Sequence, residues 1–300
     1  MKLNNKGFAI STVMYMILIM AVVLISLILA VLSSRKLVLD KIKDETLNDI
    51  YVQKSVSFSN DSWETIAANV RAGNLDNYNV GDTKEVTLTG ELSGTYTVRI
   101  ANKSTPEECN DEKFSQTACG FVVEFVDIIT TYVMNQAGEY KTVNYDNGWN
   151  IDGYPATLMN QYLRRDIIDY LPDDLKKEIK YTKVISSHGS LDEKNFESTD
   201  KLYLLSTKEV WGKEGTTNMV RYDTAESETR QLDYYKNVAK VTTDSSSGAI
   251  KKYNGNASYW WLRSAYSDSD NFFYVVYSDG GNSYSSANHS AGISPAFRIG

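Results

Sequence analysis

From Phe8 to Leu32 the chain carries no Asp, Glu, Lys or Arg, and Met, Ile, Leu, Val and Ala dominate the run. As an α-helix it is roughly 37 Å long, enough to cross a ~30 Å hydrocarbon core with some tilt. One segment therefore has to sit in lipid or in another apolar environment while the remainder folds separately. Lys2 and Lys6 precede the run, so the N-terminus is expected to stay cytoplasmic and the bulk of the chain to lie outside. A cleaved secretory signal is the alternative, but its apolar region spans only ~7–15 residues and ends at a small-residue site, which "AVLSSRK" matches poorly. The following "SSRKLVLDKIKDETLNDIYVQKSV" has no Gly or Pro. Leu39, Ile42, Ile50 and Val56 suit one apolar side, and Lys41 and Glu45 form an i,i+4 pair of opposite charge. The pattern predicts one helix from Phe8 to about Val56.

The rest has the composition of a folded protein, with 42% hydrophobic and 23% charged residues and 4 Pro in the whole chain. A net charge of −7 argues against nucleic acid as a partner, because phosphate binding needs a basic face. The two cysteines, Cys109 and Cys119, lie in "ECNDEKFSQTAC", far in sequence from His188 and His289. That spacing is not a zinc knuckle; outside the cell it reads as a local disulfide, with two free thiols as the alternative.

Beyond Trp63 the pattern turns mixed. "VGDTKEVTLTG" and "GTYTVRIAN" alternate and are bounded by Gly, so they predict a hairpin, and "CGFVVEFVDIITTYVMN" reads as one longer strand. Thr157 to Lys180 reads as helical, with Met159, Leu163 and Ile167 recurring at four and Pro172 starting a second helix. "YTKVISS" and "KLYLLS" read as strands, with "TKEVWG" as a helical turn ending at Gly212. The last fifty residues return to β in "YWWLRSA", "FFYVVYSDGGNSYSS" and "GISPAFRIG", with Asp279-Gly280 as a two-residue hairpin turn.

At "NNKGF" the chain resembles the type IV prepilins, in which a short basic leader ends in Gly and Phe opens the mature chain. The resemblance implies cleavage by a prepilin peptidase between Gly7 and Phe8, methylation of the new terminus, and packing against other pilin-like subunits. Thr12 stands where pilins usually carry Glu, which implies a minor pilin rather than the bulk fibre subunit. An uncut signal anchor in membrane lipid is the other reading of the same residues. From about Trp63 onward, "NGWNIDGYPATLMNQYL", "LYLLSTKEVWG", "TRQLDYYKN" and "YWWLRSA…GISPAFRI" together resemble an uncharacterised bacterial domain family. The closing block is similar to the C-type-lectin-like fold of formylglycine-generating enzymes and of retroelement-diversified receptors. The resemblances imply an α+β protein: residues 1–7 a leader, 8–60 a pilin-like transmembrane and extended helix, 61–145 a β-rich part of the head, and 146–300 a C-type-lectin-like part.

Formylglycine-generating enzymes depend on an active-site Cys pair, and this chain has no Cys after Cys119, so no catalysis is expected. His188 in "SSHGS" has Ser186, Ser187 and Ser190 beside it, yet adjacency in sequence is not a triad; it reads as a loop histidine. Asp268 and Asp270 in "SDSDN" do not continue as an EF-hand, since Phe272 and Phe273 occupy positions that need an oxygen ligand and Gly. No metal or cofactor is expected. The strongest signal is the tail. Between Tyr266 and Ser290, Ser, Tyr, Asn and Asp dominate around Phe273, Val275 and Gly280, which read as framework. Tyr gives large contact area at low entropic cost and Ser, Asn and Gly adapt their hydrogen bonding, as in antibody loops. Tyr266, Asp268, Asp270, Asn271, Tyr277, Asn282, Tyr284, Asn288 and His289 are the expected ligand contacts, against the alternative of a polar hairpin with exposed tyrosines. Trp260, Trp261 and Arg263 read as core; adjacent residues on a strand face opposite ways, so at least one Trp should be buried. The chain is thus expected to display an extracellular recognition head, for a glycan, protein or host surface, on a membrane anchor or pilus. A structural minor pilin without a ligand is the rival.

Overall fold

The computed structural model describes residues 5–52, 55–136, 153–188, 194–212, 228–266 and 271–300. The chain divides into two compact units, residues 1–53 and 54–300. The first is a single helix, α1 (Asn5–Val52), which contains both Gly7 and Phe8. Its stretch Met14–Lys36 is long and apolar enough to cross a membrane. Met14, Ile17, Leu24 and Leu29 are all exposed, so this stretch is apolar all round rather than along one stripe. The hydroxyls of Ser26, Ser33 and Ser34 each donate to the carbonyl four residues back, at 2.8 Å, which satisfies them without water.

The second unit is α+β. Helix α2 (Trp63–Ala72) starts at Ser62, whose side chain accepts from Thr65 N–H, and ends at Gly73 in the left-handed region. The predicted hairpin forms as β1 (Thr83–Leu88) and β2 (Gly94–Asn102), paired antiparallel from Thr83↔Arg99 to Leu88↔Gly94. "CGFVVEFVDIITTYVMN" is two strands rather than one: β3 (Val122–Phe125) and β4 (Thr130–Val133) belong to different sheets. Between them, Val126 N–H donates to Thr97 and Ile128 N–H to Lys252, so tertiary pairing bends the chain where no Gly or Pro does.

The helical segment comprises α3 (Leu158–Tyr162), a π-turn Leu163–Ile167, α4 (Ile168–Tyr170) and, after Pro172, α5 (Asp173–Glu178). Its last expected residues instead form β5 (Ile179–Lys180), which pairs with the C-terminal strand. Strand β6 (Thr182–Ser186) pairs with β7 (Phe196–Asp200), a polar strand that the sequence pattern did not single out. "KLYLLS" is not a strand: Tyr203 alone makes a bridge, to Ala296, while Leu202, Leu204 and Leu205 are simply buried. Helix α6 (Thr207–Trp211) carries a capping box between Ser206 and Glu209. A small hairpin, β8 (Lys251–Tyr253) and β9 (Asn256–Ser258), precedes β10 (Trp260–Ala265), β11 (Phe272–Val276), β12 (Asn282–Ser286), β13 (Ser290–Ile293) and β14 (Ala296–Ile299).

Among the described residues, two five-stranded sheets organise the head, in the orders β1-β2-β3-β14-β5 and β12-β11-β10-β13-β4. Both sheets cross the expected line near residue 145, since β14 pairs with β3 and β13 with β4. One core lies between sheet faces and helices, joining Val98, Val123 and Phe297 to Trp261, Phe273 and Val275 and to Met159, Leu163 and Ile167. The other faces of the same strands build a second core from Val122, Trp260, Leu262, Tyr274 and Val276 with Val210, Trp211 and Tyr235. Trp260 and Trp261 are therefore both fully buried, one in each core. Cys109 and Cys119 form a disulfide that closes a local loop.

Candidate functional site

The polar chemistry of the head falls into a buried part and an exposed part. In the buried part, Glu124 on β3 receives Arg99 Nε at 2.8 Å, Lys251 Nζ at 2.9 Å and Tyr235 OH at 2.8 Å. Burial on its own would raise the Glu124 carboxyl, but Arg99 and Lys251 outweigh it and hold the group below the usual carboxylate range. Burial pushes Lys251 down to about 8 despite the pull of Glu124. A second cluster places Glu209 against the Arg263 guanidinium, with both carboxylate oxygens at 2.6 Å, and Thr117 and Thr229 complete it. Arg263 also donates to the carbonyls of Ile185 and Leu204. The residues of "LYLLSTKEVWG" and "YWWLRSA" thus meet inside the protein. All of these acidic and basic side chains are buried, so they hold the fold together rather than meet a ligand.

His188 lies on a polar cleft of about 420 Å³ together with Glu112, Glu197, Glu228 and Lys194. Ser186 and Ser187 are turned inward, and Ser187 donates to the Ala265 carbonyl, so neither assembles a triad with it; Ser190 lies outside the described residues. Among the described residues, no group of three or more His, Cys, Asp or Glu side chains could hold a metal ion.

The exposed part is the β11–β12 hairpin. Its register runs from Phe272↔Ser286 through Tyr274↔Tyr284 to Val276↔Asn282. The connection is five residues, 277–281, rather than two. Tyr277 N–H donates to the Gly281 carbonyl, and Asp279 Oδ1 accepts from Gly281 N–H. Gly280 has φ +86°, and a Cβ there would lie 2.0 Å from the Ser246 carbonyl oxygen, so only glycine fits the turn. Phe273 and Val275 are buried framework, as the pattern predicted.

Around this frame the rings are ordered. Tyr266 stacks on Tyr284 at 4.6 Å between centroids, with Phe272 tilted against Tyr284 at 5.2 Å. At the other end of β11, Tyr277 stacks on Tyr259 at 6.4 Å, and the Tyr259 hydroxyl donates to the Ser290 carbonyl. Tyr277 and Tyr284 are 49% and 50% exposed, so large ring area faces solvent while stacking partners restrict its motion. Tyr266 is only partly exposed and also packs against the second core. Asn288 and His289 are exposed in the turn after β12, where they accept from Ser286 Oγ and contact Ser285 Oγ. Asn282 is partly exposed on β12, and the Asn271 carbonyl accepts from Ala287 N–H. Asp268 and Asp270 lie outside the described residues. The expected contacts therefore divide into two aromatic groups at opposite ends of the hairpin. Tyr259 and Phe272 join them without having been singled out in the sequence. Tyr259 precedes the Trp pair and reads as part of the core motif, but its cross-strand position opposite Tyr277 follows from the Trp260↔Val276 register.

No curated protein and no solved structure matches the chain. Residues 127–300 match a family model described as a domain of unknown function, DUF6273. The match takes in β4 through β14, and with it the Glu209–Arg263 pair, the double Trp and the whole aromatic hairpin. Since this is more than half of the sequence, the chain belongs to the DUF6273 family.

Proposed function

We propose that this chain is a membrane-anchored surface protein whose β11–β12 hairpin recognises an extracellular ligand. The observation that carries the reading is the pair of half-exposed rings, Tyr277 and Tyr284, each held by a stacked aromatic partner on a doubly buried sheet. Rigid exposed tyrosines lose little entropy on binding, and the neighbouring Ser and Asn side chains offer adaptable hydrogen bonds. The head is a variant of the C-type-lectin-like fold, a view supported by the residues of its closing block, and it acts in binding rather than catalysis. The ligand is a glycan, a protein or a host surface. A direct test is binding of the full chain, kept in detergent, to glycan and extracellular-protein arrays and to host cells. Tyr277→Ala and Tyr284→Ala should each lose the signals that the parent shows; binding that both variants retain in full contradicts the reading.

A second reading is favoured by α1 itself. The helix runs for 48 residues through "KGF", the apolar span and the charged continuation. That is the layout of a minor pilin cut between Gly7 and Phe8 and packed against other pilin-like subunits. The intact mass of the mature protein tests it: loss of residues 1–7 with one added methyl supports processing, and a retained Met1–Gly7 supports an uncut anchor.

A further inference from the structure

Among the described residues, the four outer strands of the two large sheets are protected unequally. β1 carries Lys84 and Glu85, and β5 is two residues long. β4 is four residues long and is flanked by α3, with Met159 N–H donating to the Met134 carbonyl and Leu158 N–H to Asn135 Oδ1. Charge, brevity and cover are the usual ways in which a sheet edge is kept from pairing. β12, "NSYSS", has five residues, no charge, no Pro and an unbroken register with β11.

The hydrogen-bond phase of β12 fixes which of its groups face outward. Tyr277 N–H donates to Gly281 and Ala287 N–H to Asn271, so 277↔281 and 271↔287 are hydrogen-bonded pairs. Such pairs alternate along an antiparallel ladder. The bonded pairs within the hairpin are then 273↔285 and 275↔283, and the backbone N–H and C=O of Asn282, Tyr284 and Ser286 point away from β11. The donation from Tyr266 N–H to the Phe272 carbonyl agrees, because it shows the even-numbered positions of β11 turned toward β10. One outward group, the Ser286 carbonyl, accepts from His289 N–H and keeps its second lone pair.

We infer that β12 is a homotypic docking edge, which pairs antiparallel with β12 of a second copy of this chain about a two-fold axis through Tyr284. The strand's own sequence selects that occupant. Centred on Tyr284, Tyr284 faces its counterpart, Asn282 faces Ser286 and Ser283 faces Ser285. Every opposed pair is therefore uncharged and of compatible size, so a copy meets no like charge along this edge. Tyr284 and its counterpart exchange both N–H···O bonds, and their half-exposed rings stand on the same face as a cross-strand aromatic pair. The two five-stranded sheets become one continuous sheet of ten. The pairing rests on the backbone edge and leaves the Tyr277–Tyr259 stack untouched, but it shares the Tyr284 ring with the ligand reading above. Cross-linking reads the pairing and array binding reads the ligand, so the two outcomes are distinguishable.

Cross-linking in the full chain tests it, since the two native cysteines are already joined to each other. Tyr284→Cys places a thiol opposite itself at a Cα separation of about 5.5 Å, inside the range that a disulfide spans. Asp279→Cys, in the exposed turn of the same hairpin, is the control for random collision. Under mild oxidation Tyr284→Cys should give about tenfold more covalent dimer than Asp279→Cys, because only the former is held within bonding distance. A mixture of Ser283→Cys and Ser285→Cys chains, which leaves Tyr284 in place, should cross-link better than either chain alone. Equal yields at 284 and 279, or a mixture no better than its parts, overturn the proposal.

Discussion

β10 and β12 are two strands apart in one sheet and carry opposite chemistry. All six residues of β10, "WWLRSA", are buried, whereas no residue of β12, "NSYSS", is. Residues on β10 serve both cores and the Glu209–Arg263 cluster, while β12 presents a ring and its backbone edge to solvent. A strong motif is therefore not by itself a functional site: the Trp-Trp-Leu-Arg block that most distinguishes the tail is the part a ligand cannot reach. The weaker compositional signal beside it is the part a ligand can.

The sharpest way to break the contrast is to remove a charge from the buried side. Glu124→Ala leaves Arg99 and Lys251 facing each other without their carboxylate, and should destabilise the head by about 5 kcal/mol, the upper end for a broken buried pair. Denaturant unfolding of the full chain, followed by near-UV circular dichroism, measures this. The same network has a pH signature. The folded Glu124 carboxyl lies below its ordinary value of 4.5, so its contribution is fully present above that value. That contribution is lost as pH falls through the depressed folded value, and parent stability should therefore drop on acidification in a range where Glu124→Ala changes less.

Trp261→Ala empties a fully buried site and should cost about 3–4 kcal/mol in the same assay. The Tyr132 carbonyl on edge strand β4 also loses the indole N–H that it accepts at 2.9 Å. Replacing Cys109 and Cys119 by Ser should cost less, about 2–3 kcal/mol, since the bridge closes a loop with a sequence separation of only 10. Tyr277→Ala and Tyr284→Ala come last, each within about 1 kcal/mol of the parent, as surface substitutions usually are. Tyr266→Ala should cost more than either, because that ring also packs on the second core.

The sequence made much of this legible where local signals agree with tertiary ones. The β1–β2 hairpin alternates between glycines, Pro172 marks the start of α5, and the uncharged run marks α1. The misreadings share a cause. Val122 to Val133 contains no breaker, so its division between two sheets is decided by Thr97 and Lys252, partners remote in sequence. "KLYLLS" is apolar because it is buried on both sides, and burial without pairing looks like a strand in sequence. β7, "FESTD", pairs without being apolar, and so left no periodic signal. In the hairpin, Asp279-Gly280 lies within the turn, but the turn spans 277–281, and the packing of Gly280 under the Ser246 carbonyl is a contact between distant segments. The stacking of Tyr259 on Tyr277 was likewise invisible until the β10–β11 register was known.

The division between a buried motif and the exposed hairpin proposed to recognise a ligand is tested most directly by measuring stability and binding on the same samples. The parent, Trp261→Ala and the double variant Tyr277→Ala/Tyr284→Ala would each be melted and then assayed, as full chains, against the array targets and cells that the parent binds. The account predicts that the tyrosine variant melts like the parent but loses binding, and that Trp261→Ala melts far earlier. A tyrosine variant that folds and binds as the parent does would contradict it.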